Sequence, residues 1–70
     1  MRYAVVIECG PSSYGAQVPD LPGCVAVAET ESEVRSLIAE AIEEHIASLR
    51  ASGEPVPGPR THVDYVAVRA

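Results

Sequence analysis

A chain of 70 residues holds one domain at most, and a domain of that size buries only about 60% of its unfolded surface. Apolar residues make up 47% of it, too many for a disordered tail, but Trp and Phe are absent, so the core must come from aliphatic residues and three tyrosines. The net charge of −5, with every cation an arginine, argues against direct nucleic-acid binding and suits a basic protein partner as well as plain solubility.

Residues 3–9, YAVVIEC, are rich in β-branched side chains and read as a first strand. Gly10-Pro11-Ser12-Ser13 is a dense turn signal, and residues 14–18 alternate as a second strand. Pro19 cannot donate to a β-ladder and ends that strand. Pro22-Gly23 presets a reversal, because proline fixes φ and glycine accepts a positive one. Residues 24–28 restart as a third strand.

Thr30-Glu31-Ser32-Glu33 has the form of a helix capping box. Val34, Leu37, Ile38, Ala41, Ile42, His45 and Leu49 then recur at three- and four-residue spacing, the apolar face of a helix over about 31–52. Glu31 and Glu33 suit its positive end and Arg50 its negative end, and Glu31 is spaced to pair with Arg35. Gly53 is placed to close the helix and Pro55 to stop it. Residues 54–60, EPVPGPR, form a stiff extended connector, and residues 62–68, HVDYVAV, read as a fourth strand.

The order predicts a single α+β domain over 1–70, β-β-β-α-β. A right-handed crossover puts strand 4 parallel to strand 1, giving the order 3-2-1-4 with one long helix on one face. The helix outruns strands of about 17–20 Å, so Ile46, Leu49 and the flank of His45 need cover from the connector or from another chain. Both faces of the fourth strand are apolar, with Val63, Tyr65 and Ala67 alternating against Val66 and Val68. A thin core, an overhanging helix and an open edge together predict a homodimer or higher oligomer, with Tyr65, Val66, Ile46 and Leu49 at the interface.

Tyr14, Ala16 and the run Val18-Pro19-Asp20-Leu21-Pro22-Gly23-Cys24, followed by Thr30-x-x-Glu33 and an Ala-Ile-rich helix ending at Gly and Pro-x-Pro, resemble the HicB-like antitoxin domain over about residues 3–68. The resemblance implies a fold similar to a truncated ribonuclease H, with the same element order. It also implies a HicA-like toxin as partner, a small basic ribonuclease that cuts messenger RNA using a histidine. Family members often carry a C-terminal DNA-binding segment. Here strand 4 runs to the end of the sequence, so no such domain and no direct nucleic-acid binding are expected.

Strand reversal alone explains the two prolines, but it demands neither an acid nor a leucine between them. Asp20 and Leu21 are therefore expected at a rigid loop tip that costs little entropy to dock. Glu40, Glu43 and Glu44 cluster on the solvent side of the helix, either a solvated face or an acidic patch for a basic partner. His45, on the apolar face, reads as a packed residue rather than a catalyst or metal ligand.

No enzyme is expected. Glu8 and Asp64 would lie roughly 10 Å apart on adjacent strands, too far for paired metal ions about 4 Å apart, and no P-loop or nucleophile elbow is present. No metal, cofactor or membrane association is expected, since no apolar run nears the ~20 residues of a span and the one after Tyr3 is too short for a signal peptide. A cytoplasmic location follows. Cys9 and Cys24 fall at opposite ends of the sheet, on the order of 15 Å apart, and should not bridge.

Overall fold

The computed structural model describes residues 1–70 as a three-stranded antiparallel sheet carrying one long helix. Strand β1 is Val6–Cys9, β2 is Tyr14–Gln17, β3 is Val25–Ala28 and helix α1 is Glu31–Ala51. The meander order is β1-β2-β3, with Ile7 opposite Ala16 and Ala16 opposite Ala26. That row points at the helix. Its two alanines are small enough for α1 to settle onto β2 and β3, while β1 stays at the margin of the helix.

The opposite face of the sheet carries Val6, Gln17 and Val25 in one row and Glu8, Gly15 and Val27 in the next. Val25 and Val27 are 62% and 67% exposed there, so this face is apolar and wet.

The turn between β2 and β3 decides the core. Val18 C=O accepts from Leu21 N–H at 3.1 Å and Leu21 C=O accepts from Cys24 N–H at 3.0 Å, two β-turns in series. Pro22 and Gly23 occupy the centre of the second, with Gly23 at φ 86°, as a type II turn requires. Val18 N–H donates to Cys24 C=O at 3.1 Å and closes the loop. The double turn folds Leu21 back under α1, where it is completely buried among Val18, Cys24, Val34 and Ile38. The expectation of an exposed leucine at the loop tip is therefore corrected. Two turns in seven residues curl the loop inward, and an apolar side chain at the inner position joins the core.

Helix α1 begins where the capping residues place it. The Thr30 hydroxyl accepts from Glu33 N–H at 3.1 Å and donates to Glu33 Oε1 at 2.9 Å, so the carboxylate braces the cap through the hydroxyl. At the other end Glu54 N–H donates to Leu49 C=O at 2.9 Å and Gly53 N–H to Arg50 C=O at 3.1 Å, with Gly53 at φ 72°. This is a Schellman closure.

The main correction concerns residues 62–68. They are exposed throughout and form no regular element, and no backbone hydrogen bond joins them to β1. The fourth strand and the order 3-2-1-4 are not formed, and with them goes the parallel pair behind the likeness to a truncated ribonuclease H. A strand read from side-chain alternation still needs a hydrogen-bonded ladder, and none forms here although Tyr65 lies beside β1, sharing a concavity with Val5, Ile7 and Cys9. We call residues 62–69 the arm. The second half of α1 is flanked instead by Met1 and Tyr3, and the Tyr3 hydroxyl donates to Pro57 C=O in the connector.

Only six of 70 residues are buried, so each carries a large share of stability. Leu21→Ala should cost about 3–5 kcal/mol, read as a lower urea midpoint at unchanged slope. A loss under about 1 kcal/mol would mean the side chain is not packed as described.

Cys9 is exposed at one end of the sheet and Cys24 is buried at the other, both free, and burial pushes the Cys24 thiol up. One thiol per chain should react with a disulfide reagent in native buffer and two in denaturant. Rapid native labelling of both would contradict the packing of Cys24.

Candidate functional site

No group of three His, Cys, Asp or Glu side chains lies close enough to hold a metal ion. Glu8 points to the outer sheet face, and Asp64 sits on the arm, where its carboxylate accepts from Tyr65 N–H at 2.8 Å. No ladder brings the two carboxylates together. What the molecule offers is surface.

The first surface is the solvent side of α1. Glu40, Glu43 and Glu44 are all exposed, as are Glu33 and Ser36. Leu37, assigned by periodicity to the apolar face, is 42% exposed and emerges between Glu33 and Glu40, one turn away on either side. An apolar centre ringed by carboxylates is a common form for a patch that docks on a basic surface. Periodicity missed Leu37 because the helix rests on a narrow strip centred on Val34 and Ile38.

The second surface is the arm. Val63, Tyr65, Val66 and Val68 are 57%, 90%, 77% and 79% exposed. Ile46 and Leu49 are half-buried on the other half of α1, apart from the arm residues with which they were grouped.

Asp20, placed with Leu21 as a docking point, faces inward to the connector. Its Oδ2 accepts from Arg60 N–H at 2.8 Å and Thr61 N–H at 2.9 Å, and its Oδ1 accepts from the Thr61 hydroxyl at 2.8 Å. A carboxylate between the prolines thus has a structural use: it clasps the chain 40 residues away and fixes where the arm leaves the body. A sequence scan could not pair Asp20 with Thr61, because nothing local links them. Leu21, fully buried, has no surface to offer a partner.

With the geometry in view, the comparisons are specific. Residues 3–69 match the family described as the HicB-like antitoxin of bacterial toxin-antitoxin systems. The chain belongs to the HicB-like antitoxin family. It is 35% identical over 71 residues to a UPF0150 protein of Thermoplasma acidophilum, covering all of both chains. It is also 37% identical over 57 residues to an uncharacterized 14.9 kDa protein from the rep-hol intergenic region of Haemophilus phage HP1. That match covers 81% of this chain and 43% of the phage protein. No helix is long and apolar enough to cross a membrane.

The clasp titrates. The Thr61 and Arg60 backbone N–H groups, then the Thr61 hydroxyl, hold the Asp20 carboxyl below its ordinary 3.8. A depressed folded value means the clasp contributes fully above the ordinary value and is lost as pH falls through the folded one. The amide proton shifts of Arg60 and Thr61 should therefore move together with a midpoint under 3.8. Asp20→Ala should abolish that titration. A midpoint at or above the ordinary value would show that the carboxylate is free.

Proposed function

We propose that this chain binds a small basic HicA-type toxin and occludes the site with which it cuts messenger RNA, acting in the cytoplasm. The observation that carries the reading is membership of the antitoxin family across residues 3–69. An antitoxin role calls for binding rather than catalysis. The acidic face of α1, with Leu37 between Glu33 and Glu40 and with Glu43 and Glu44 beyond, supports it. Like-charge crowding on one helix costs a few tenths of a kcal/mol, and a basic partner repays it. Charges at the rim steer the encounter, while the apolar centre limits dissociation. The charge of −5 is opposite to that of a nucleic-acid binder.

A second reading is a stand-alone homo-oligomeric scaffold or regulatory domain with no toxin. The exposed valines of the outer sheet face and the arm favour it, with Tyr65 and Val66 as contacts and Ile46 and Leu49 on a separate face. The gene beside this one separates the two. A basic reading frame of toxin size should arrest growth alone and be neutralised by co-expression of this chain, with both proteins co-purifying.

Reversing Glu40, Glu43 and Glu44 together to lysine should lower the association rate with the toxin at low salt by at least about tenfold. The helical circular dichroism should be unchanged, since exposed positions shift stability little. Unaltered, salt-independent association by that variant would exclude the acidic face as the docking surface.

A further inference from the structure

The face of the sheet turned away from α1 packs on nothing in the single chain. One of its rows is Glu8, Gly15 and Val27, and the row beside it is Val6, Gln17 and Val25. Gly15 lies on β2, the central strand, where a glycine weakens a sheet. Nothing local asks for it. The glycines at positive φ are Gly23 and Gly53, so Gly15 keeps a backbone conformation that other residues adopt. A Cβ built on Gly15 would meet nothing within 4 Å. A strand glycine with no turn to make and no neighbour to admit is the usual sign of a place where a ligand or another chain comes close to the backbone.

The missing side chain leaves a trough. Glu8 and Val27 stand on the strands either side of β2, about 10 Å apart at two strand spacings, and the floor between them is bare backbone. The trough holds about 300 Å³ and is lined also by Val6, Gln17 and Val25. That volume is at the lower limit for a small-molecule pocket. The trough is open along its length, a shape for one long side chain laid flat.

Glu8 decides what lies there. It is the only charged residue lining the trough, and no arginine or histidine accompanies it. The whole chain carries −5. A nucleic acid would bring more negative charge to that carboxylate, and so would a second copy of this acidic chain. A cation is favoured, and the apolar surroundings set its kind. Lysine and arginine both lay a hydrocarbon stem along apolar surface and keep the charged head at its rim. Arginine fits the better of the two. Its planar fork takes a carboxylate with two parallel hydrogen bonds, it is more weakly hydrated than an ammonium, and a further N–H remains for the Gln17 amide oxygen.

We propose that this face docks an arginine-bearing segment of a basic protein. The arginine stem lies over Gly15 against Val25 and Val27, and its guanidinium sits on Glu8. The site is on the opposite side of the sheet from α1, separate from the acidic face of the helix. It therefore stands apart from the antitoxin reading, whose docking surface is tested on α1.

The probe is the blocked tripeptide acetyl-valyl-arginyl-valyl amide, added at low salt to the isotope-labelled chain, with its citrulline counterpart as the uncharged control. Amide shifts at Glu8, Gly15 and Val27 should move and saturate in the millimolar range, with Glu40, Glu43 and Glu44 on α1 unmoved. The citrulline peptide should bind at least about tenfold more weakly, as should the arginine peptide to Glu8→Gln. Gly15→Val should lose binding by at least about the same factor while its urea midpoint rises, because a β-branched residue suits a strand and meets no neighbour there. Absence of a saturable shift at the three residues overturns the proposal. Equal binding of the citrulline peptide also overturns it, as does a Gly15→Val chain that binds like wild type. A lowered midpoint for Gly15→Val would show that the fold itself needs the glycine, which removes the ground for the site. Shifts confined to α1 would overturn it too and assign the cation to the helix.

Discussion

Everything in this small fold hangs on one side chain, Leu21, carried into the core by two consecutive β-turns. The sheet is only three strands of four residues, and its inward row is largely alanine. That row lets the helix approach but supplies little volume. Leu21 fills the remaining space against Val34 and Ile38, while Val18 and Cys24 hold the turn from either side. The loop is therefore a core element in the place of a connector. Its prolines and its positive-φ glycine serve to make two reversals in seven residues, which few other sequences can do.

The same turn sets the far end of the chain. With Leu21 facing in, Asp20 faces the connector, and three hydrogen bonds from Arg60 and Thr61 hold the chain against it. These groups remain partly wet, so the clasp acts by direction more than by strength. It brings the arm to the start of β1 and leaves it there, beside an edge to which it is suited but not bonded. Because α1 sits over β2 and β3, β1 has an uncovered flank on the same side. Open edge, uncovered flank and free arm are thus consequences of one packing choice.

Function follows from surfaces of different kinds. The helix presents carboxylates around Leu37, a patch of the kind that suits a basic protein in the reading proposed above. The arm and the outer sheet face present valines and a tyrosine, matched to apolar burial. The chain belongs to the HicB-like antitoxin family, and only six of its residues are buried, so much of its apolar surface stays open. The patch and the arm arise from different elements of the chain.

Much of this was legible in the residues. Strands β1 to β3, the helix start at Thr30 and its stop at Gly53 were all written in local chemistry: alternation, prolines, a capping threonine and a glycine at positive φ. Each depends on neighbours within about five positions, so the chain's own order carries the information. The family was legible as well, through the VPDLPGC run and the capped helix after it. Three things were decided only by tertiary structure. Leu21 went inward because the curvature of two turns in series is set by all seven residues and by the helix above them. Asp20 became a clasp because its partner lies 40 residues away, a distance in sequence that no local pattern spans. Residues 62–68 have the alternation of a strand, but a strand is a relation between two segments. Alternation specifies which faces are apolar, and only packing specifies whether a neighbouring edge takes up the ladder.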